Sequence, residues 1–413
     1  MANAVVTPQI FAKLVLMDLG GALNVCRNMS NAVTPEFGKK SQKVGASVDV
    51  RKPYRFTVST GLKYDPQPLT DQVTPVKVAQ VAQVAFDWDS VEKTLSIREA
   101  RELYSKPAAL ALASTINAQA AQYISWNTFN ATGTPGTTPV DEQPYLKAGD
   151  LLIEQGLPQD EELNLIVNRK FSSTFVHGVK TLYNPTGAIS QQWKQGQMVD
   201  SLGYNVFRDQ TIYTRTVGPL GGSPLVNVVG GAQADGGNNA TMSLVTDGWT
   251  ASAASRVLQG DTFTIAGVYS VHPQTRQSTG DLQQFVCLAA ASSDGSGNAT
   301  LTIAPAITAS GQYQNVNAVA ADDAALTFDG AANAVSPQAL LLHKNAFAFV
   351  CVPLSNPEPG MGALVTTAND PETGLNMSIV RAFDGVYRKE INRIDVLYDF
   401  APLYREMACR IEG

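Results

Sequence analysis

The sequence predicts an α+β fold that carries a separate all-β section. One observation is a stripe of apolar residues at steps of three and four between Ala109 and Asn127, which is typical of a helix. A second is the alternation of apolar and polar residues from Val44 to Arg51, which indicates a strand with one buried face. The third is a series of short β-prone runs within residues 218–335. A chain of 413 residues allows two or three domains.

The first 43 residues are predicted to form an arm. Pro8 opens a first helix, and the segment beyond it becomes irregular. Three lysines in that segment, Lys39, Lys40 and Lys43, could contact nucleic acid, although lysines in a flexible arm are more often only solvated.

Residues 44–89 are predicted to form a long two-stranded ribbon. A second β-prone run covers Val76 to Trp88, and the turn formers of Gly61 to Pro68 lie between the two runs. Because such a ribbon is marginally stable alone in water, we expect it to lie on a neighbouring subunit.

A spine helix is predicted after this ribbon. Ser96 and Glu99 stand at capping-box spacing before a short helix, and Pro107 opens a longer one. No charged residue occurs from Pro107 to Val140, and Ser114, Asn117, Gln119 and Gln122 take the positions that an exposed helix face would fill with Lys and Glu. Two interpretations stay open: a central helix of a large soluble domain, or the spine of a subunit that packs against copies of itself.

A compact α/β lobe is predicted next, after a flexible uncharged loop at 130–139. It contains a helix from Tyr145 to Gln155, a strand from Leu163 to Val167 and a helix from Lys170 to Tyr183. Asn168 is the predicted cap of the last helix.

The composition changes at Gly218. From there to Ser336 there is no Lys and no Glu, and eight Asp against two Arg give −6, the formal net charge of the whole chain. The spacing of the short strands predicts an all-β barrel or sandwich. The predicted strands are Leu225 to Val229, Met242 to Val245, Asp261 to Val271, Leu282 to Leu288 and Thr300 to Ile303.

Mixed structure is predicted for the rest of the chain. Pro337 to Asn345 reads as a short helix and Ala346 to Pro353 as a strand. Two long strands follow, Asn376 to Phe383 and Ile391 to Phe400, and a final strand runs from Glu406 to Ile411.

The residues that carry chemistry do not form a recognisable site. His177, His272 and His343 lie in different segments, there is no phosphate-binding glycine motif, and Asp294 to Asn298 resembles a calcium loop but fits a β-turn better. The cysteines, Cys26, Cys287, Cys351 and Cys409, show no paired spacing and are predicted to be buried reduced thiols. We therefore predict no catalytic residue, no cofactor-binding residue and no metal ligand. The chain also lacks a membrane-length apolar run and a secretion signal, so we expect neither insertion nor secretion.

The order of these parts resembles the bacteriophage major capsid protein fold of the HK97 type, and most closely the P22-type coat proteins. Four segments carry the resemblance: 93–103 (KTLSIREAREL), 200–208 (DSLGYNVFR), 260–268 (GDTFTIAGV) and 340–347 (LLLHKNAF).

The resemblance implies a tailed-phage coat subunit that assembles as hexamers and pentamers into an icosahedral shell around double-stranded DNA. The implied parts are an N-terminal arm (1–43), an extended loop (44–89), a peripheral domain with the spine helix (90–145), an axial domain (146–217 and 336–359), an inserted all-β domain (218–335), and peripheral long strands with a C-terminal return strand (360–413). Implied partners are a scaffolding protein, a portal protein and a decoration protein, with assembly in the host cytoplasm and no membrane. The acidic balance predicts weak, nonspecific DNA contact.

Some shells of this fold are covalently crosslinked between an extended-loop lysine and an asparagine. Lys63 lies near the predicted tip, but no accepting asparagine or catalytic carboxylate is identified.

Two alternatives stay open. An encapsulin-like shell shares the fold but usually lacks a large insertion, and a β-rich hydrolase or carbohydrate-binding protein would need the constellation of His and carboxylates that the sequence does not present.

Overall fold

A computed structural model describes residues 8–33, 47–56, 58, 61–62, 66–67, 71–89, 106–157, 162–178, 202–227, 237–354, 363–370, 373–386 and 389–413. The chain divides into two compact units. The first comprises Met1–Val50, Pro75–Ala120 and Ala348–Ala401, and the second comprises Arg51–Thr74, Ala121–Phe347 and Pro402–Gly413. Both helices and strands are well represented, which confirms the predicted α+β class.

The helices are α1 (Pro8–Ala22), α2 (Asn24–Arg27), α3 (Lys106–Asn127), α4 (Gln143–Glu154) and α5 (Arg169–Gly178), with a 3-10 turn at Arg405–Met407. The strands up to residue 249 are β1 (Ser47–Arg51), β2 (Val73–Lys77), β3 (Gln80–Asp89), β4 (Asn130–Gly133), β5 (Leu163–Val167), β6 (Tyr204–Arg208), β7 (Thr214–Thr216), β8 (Gly222–Val226) and β9 (Met242–Trp249). The later strands are β10 (Thr262–Val271), β11 (Ser278–Cys287), β12 (Ala299–Ala304), β13 (Leu326–Phe328), β14 (Val335–His343), β15 (Phe347–Val352), β16 (Ala363–Asn369), β17 (Asn376–Asp384), β18 (Lys389–Pro402) and β19 (Ala408–Glu412).

The first unit contains a sheet in the order β15-β18-β17-β16, with β3 also paired to β18. The two long strands predicted near the C-terminus are its β17 and β18, and their register runs from Ser378 opposite Asp395 to Asp384 opposite Lys389. Helix α1 packs against β16 and β17.

The predicted ribbon of residues 44–89 is corrected by this sheet. Strand β1 pairs with the short β2, whereas β3 pairs along its whole length with β18, from Gln80 opposite Tyr398 to Asp89 opposite Lys389. The run that we interpreted as one ribbon strand is interrupted between Lys77 and Gln80, and its second part completes a sheet. An alternating pattern predicts that a strand forms but does not identify its partner.

The spine helix α3 is present where the sequence predicted it. Ala109, Leu112, Ala113, Ile116 and Ala120 are buried along one face, while Ser114 is exposed.

One residue on the predicted polar face of α3 differs from expectation, because Asn117 is buried. Its Oδ1 accepts the backbone N–H of Val25 at 3.3 Å, and its Nδ2 donates to the carbonyl of Ala22 at 2.7 Å. The amide therefore caps the break between α1 and α2, a tertiary role that the charge pattern does not reveal.

The second unit contains a sheet in the order β4-β19-β14-β5-β6, with β7 paired to one end of β14. Its central strand corrects the predicted helix at 337–345. Leu341 lies opposite Leu165 of β5 on one side and Cys409 of β19 on the other. Residues 339–342 are buried throughout, and a continuous apolar run cannot be assigned to a helix or a central strand from periodicity alone.

Strand β4 is a second correction, because residues 130–133 were predicted as part of a flexible loop. They pair in parallel with β19, from Asn130 opposite Cys409 to Gly133 opposite Glu412. The partner lies at the far end of the chain, so no local pattern marks the pairing.

Helices α4 and α5 share an apolar core with this sheet. Tyr145, Leu152 and Phe171 pack with Leu165 and Leu341. The predicted cap of α5 is confirmed, since Asn168 Oδ1 accepts the N–H of Phe171 at 2.8 Å. Residues 179–183, the end of the predicted helix, lie outside the described residues.

The acidic section forms a six-stranded sheet in the order β13-β10-β11-β12-β9-β8. Between residues 222 and 328, the part that the structure describes contains strands and turns and no helix. Phe263 stacks on Phe285 with ring centroids 5.7 Å apart, within a core that also includes Ile265, Leu301 and Trp249.

The predicted β-turn at Asp294 is confirmed within this section. Its carboxylate accepts the N–H groups of Ser296 and Asn298, each at 2.8 Å. Gly297 has φ +82°, and a Cβ there would lie 2.5 Å from the Trp249 carbonyl oxygen, so glycine is required.

Candidate functional site

Two of the three histidines accept hydrogen bonds from nearby backbone groups. His272 Nδ1 accepts the N–H groups of Gln274 and Thr275 at 3.3 Å, and His343 Nδ1 accepts that of Asn345 at 3.2 Å. His177 lies in the last turn of α5. Within the described ranges, no group of three or more His, Cys, Asp or Glu residues is placed to hold a metal ion.

All four cysteines are buried, as predicted, and none forms a disulfide within the chain. Burial raises the pKa of the Cys351 thiol and of the Cys409 thiol to about 12. These thiols are therefore protonated at neutral pH and lack the nucleophilic thiolate form.

The second unit contains a concentrated ion network, which we call the buried ionic cluster. It consists of Arg215 on β7, Asp261 immediately before β10, and Arg410 and Glu412 on β19. The side chains of all four are at most 1% exposed.

Arg215 links the two carboxylates of the cluster. Its Nη1 lies 2.6 Å from Asp261 Oδ1, and its Nη2 lies 2.9 Å from Glu412 Oε2. Arg410 Nε lies 2.9 Å from Glu412 Oε1, but its N–H does not point at the oxygen, so this contact is an ion pair without a hydrogen bond. Two guanidinium groups therefore face two carboxylates, and the carboxyl of Asp329 also interacts electrostatically with both arginines.

Backbone groups complete the site around Asp261. Its Oδ2 accepts the N–H of Leu258 at 2.8 Å and that of Gly218 at 3.1 Å. Arg410 donates to the carbonyls of Gly260 at 2.5 Å and Ser125 at 2.9 Å. These bonds connect the beginning of the acidic section to the last strand of the chain.

Burial dominates the electrostatics of this cluster. It raises the pKa of the Asp261 carboxyl above its ordinary range, and Arg215 opposes this by favouring the ionised form. Burial also lowers the pKa of Arg410 to about 10, against the attraction of Glu412. The attraction between the paired groups offsets only part of the loss of water, so removing one partner is far more costly than the net value of the network.

Sequence reasoning did not identify the buried ionic cluster. Arg215 and Glu412 are 197 positions apart, and neither belongs to a motif. The available signal was weak: Arg410 and Glu412 alternate with Cys409 and Ile411 in a short C-terminal run.

A second notable region is the described part of the predicted extended loop. Phe56 is 63% exposed, Val58 is 90% exposed and Leu62 is fully exposed. Lys63, the residue considered for crosslinking, lies outside the described residues. Large apolar side chains this close together on a loop indicate a surface that another chain covers.

The family comparison decides between the open alternatives. A sequence model described as "P22 coat protein - gene protein 5" matches residues 9–411. The chain belongs to the P22 coat protein family. It is therefore a major capsid protein of a tailed bacteriophage, a structural subunit whose copies associate into the shell of the virion.

Solved phage structures are similar to the chain at low identity. A structure from Mycobacterium phage Che8 is 11% identical with a TM-score of 0.45, covering 94% of this chain and 90% of that one. The capsid of Cyanophage P-SCSP1u is 10% identical with a TM-score of 0.43, covering 90% and 84%. The CUS-3 coat protein I-domain is 30% identical over 26% of this chain and 94% of its own, with a TM-score of 0.18.

No curated protein sequence matches the chain significantly. Among the helices that the structure describes, none combines the length and apolar character needed to cross a membrane.

Proposed function

We propose that this coat protein has the HK97-type organisation and builds an icosahedral shell of hexamers and pentamers around double-stranded DNA. The proposed parts are the N-terminal arm at 1–43, the extended loop at 44–89, the peripheral domain at 90–145 and 360–413, the axial domain at 146–217 and 336–359, and the inserted all-β domain at 218–335. A scaffolding protein, a portal protein and a decoration protein are the proposed partners, with assembly in the host cytoplasm.

The observation that carries this proposal is the exposed apolar surface of the loop. Phe56, Val58 and Leu62 lie in a segment that is expected to contact another subunit. In the first unit, Phe383 near the end of β17 and Val386 just after that strand are also strongly exposed. A monomer that remained alone would present both surfaces to water, and covering them by neighbouring copies removes apolar area from solvent.

The inserted domain is proposed to brace its own subunit through the buried ionic cluster. Asp261 of the insertion contacts Arg215 outside it, and Gln284 exchanges two hydrogen bonds with the backbone of Ala131, at 2.8 and 2.9 Å. Phe129 packs with Val286 and Ala304 of the insertion. These contacts span the proposed boundary and support a bracing role.

The test of shell formation uses purified full-length subunits with scaffolding protein, measured by light scattering and negative-stain imaging. We expect closed particles from the parent and loss of particles from the double variant Phe56→Ser/Val58→Ser. Val245→Ser is the matched control, because Val245 is an exposed valine on β9. A parent that remains monomeric at high concentration with scaffold present would refute the proposal.

The contents of the particles distinguish the phage coat from an encapsulin-like shell. Particles from infected cells should hold one long DNA molecule, whereas particles that hold a cargo enzyme would favour the alternative.

The bracing role is tested by replacing the insertion with a short Gly/Ser linker and by expressing residues 218–336 alone. We expect the isolated insertion to fold, with dispersed amide resonances, because its strands enclose their own apolar core. The linker variant should fold but give less stable shells. An unfolded insertion, together with a linker variant whose shells match the parent's, would contradict both the boundary and the bracing role.

A further inference from the structure

Four cations of the second unit converge at the base of the predicted extended loop. They are Lys52 and Arg55 on the loop, Arg276 on the turn after β10, and Arg405 before β19, and we call them the loop-base cations. The sequence shows no dense basic patch, because these residues come from three distant parts of the chain.

Lys52, Arg55 and Arg405 surround the segment 404–406. Lys52 Nζ lies 4.6 Å from the centre of the Tyr404 ring, a cation–π contact. Arg55 Nη2 lies 3.1 Å from Glu406 Oε1, and Arg405 Nη2 donates to Asn127 Oδ1 at 3.1 Å. The three positive charges thus meet around one carboxylate.

Arg276 adds a fourth charge beside Arg55. Its Nη2 donates to the Gln312 carbonyl at 2.7 Å, and the Gln312 side-chain amide donates in turn to the carbonyl of Arg55. Arg276 is one of only two Lys or Arg residues between residues 218 and 336, so half of the positive charge of the acidic section lies at this position.

Among the described residues, these four cations outnumber the carboxylates that act on them. Glu406 is the carboxylate that acts on Lys52 and Arg405, while the neighbouring Asp71 accepts the hydroxyl of Tyr54. Arg405 is only 5% exposed, and among the described residues its Nε and Nη1 have no hydrogen-bond partner. Unpaired buried donors on a charged group are costly, and a nearby negative charge would offset part of that cost.

The ionisation of Lys52 is consistent with this imbalance. Burial, together with Arg55 and Arg405, lowers the pKa of Lys52 to about 8 even though Glu406 acts in the opposite direction. The subunit alone therefore disfavours the charge that it places at this position.

We propose that the loop-base cations are a binding site for an oxyanion, and that in the shell the oxyanion is a carboxylate of a second copy of the chain. Guanidinium and ammonium groups bind carboxylates and phosphates through charge-assisted hydrogen bonds. Arg55 is partly exposed and can contact the oxyanion directly, whereas Arg405 is only 5% exposed and contributes its charge. The choice of a second copy rests on the proposed shell function.

Charge complementarity favours the second copy as the source. The net charge of −6 is concentrated between residues 218 and 336, and Asp281, Asp294, Asp322 and Asp323 are exposed there. Every subunit carries both the acidic section and the loop-base cations. A shell therefore supplies carboxylates at high local concentration without another partner.

The site itself is tested on unassembled subunits, with inorganic phosphate as the probe. At constant ionic strength adjusted with chloride, we expect the melting temperature to rise saturably with phosphate. In the double variant Lys52→Gln/Arg55→Gln, the apparent affinity for phosphate should fall at least about tenfold, since two charge-assisted contacts are lost. Lys77→Gln, which removes an exposed lysine of β2, should retain the parent's response.

No saturable rise in the parent, or an equal rise in the double variant, overturns the site. If the double variant does not fold, the single variant Arg55→Gln replaces it in the phosphate experiment, because this change leaves the contact between Lys52 and Tyr404 in place.

Assembly kinetics test the source of the oxyanion. Subunits are mixed with scaffolding protein, and light scattering monitors the formation of shells. A carboxylate of a second copy predicts that phosphate slows assembly of the parent and of Lys77→Gln, and that the double variant assembles slowly with or without phosphate. Phosphate binding combined with normal assembly of the double variant would assign the site to free phosphate and refute the second copy. Absence of shells from every protein would instead refute the proposed function and leave the phosphate result standing.

Discussion

The second unit contains two groups of charged residues that differ in how their charges are satisfied. In the buried ionic cluster, Arg215 and Arg410 face Asp261 and Glu412, and backbone groups take up further bonds. At the loop base, Lys52, Arg55 and Arg405 act on one carboxylate, Glu406, and Arg276 lies beside Arg55. Buried polar atoms without a partner among the described residues occur in both groups, so the groups differ in the ratio of positive to negative charges.

The difference separates a structural role from a binding role. A buried network in which each charged group faces an opposite charge is held together by its own subunit, and breaking it damages the fold. A partly exposed group with excess charge is less favourable in the free subunit and gains from an external anion. The same residue types thus have opposite expected effects on stability, which mutations can measure.

The largest effect should come from a buried charge with no partner at all. Leu112 is buried on the apolar face of α3, so Leu112→Asp should prevent stable folding and assembly. The amount of protein in the soluble fraction and its circular dichroism spectrum measure whether the variant folds. Ser114→Asp, two positions along the same helix and exposed, is the control and should leave both unchanged. The opposite result for the two variants would mean that the faces of α3 are reversed.

The next largest effect should come from breaking the buried ionic cluster. Arg215→Met leaves Asp261 and Glu412 facing each other without their shared cation, which should lower the free energy of unfolding by about 3–5 kcal/mol. Urea unfolding of the subunit measures the change. Arg256→Met is the control, because Arg256 binds the carbonyls of Leu220 and Thr250 and, among the described residues, no carboxylate. This variant should cost about 1 kcal/mol. Equal losses would show that the ion pairs add nothing beyond ordinary hydrogen bonds.

The smallest effect, opposite in sign, is expected at the loop base. The pKa of Lys52 lies at about 8, below its ordinary 10.5, so between these values the unfolded chain binds more protons than the folded one. The contribution of Lys52 to stability therefore rises as the pH increases from 8 to 10.5. At pH 7, Lys52→Gln should keep or raise the melting temperature. Across pH 8 to 10.5, the variant should show a smaller increase in stability than the parent. A clear loss of stability at pH 7 would mean that Lys52 acts mainly as a structural contact to Tyr404.

The sequence by itself determined the parts whose signals are local. The stripe and missing charges of α3, the cap at Asn168 and the strands from Met242 to Ala304 all follow from spacing within one segment. The family resemblance, confirmed over residues 9–411, also came from short segments and their order.

Only the tertiary structure decided features that depend on distant partners. Residues 337–343 form a strand because β5 and β19 pair with it on either side. Strand β3 does not belong to the predicted ribbon, because it pairs with β18 over ten residues. Both charge groups join residues from opposite ends of the second unit's sequence, as the 351 positions between Arg55 and Glu406 illustrate. Periodicity reports which face of a segment is apolar, whereas pairing and charge balance are set by whichever groups the folded chain brings within a few ångströms.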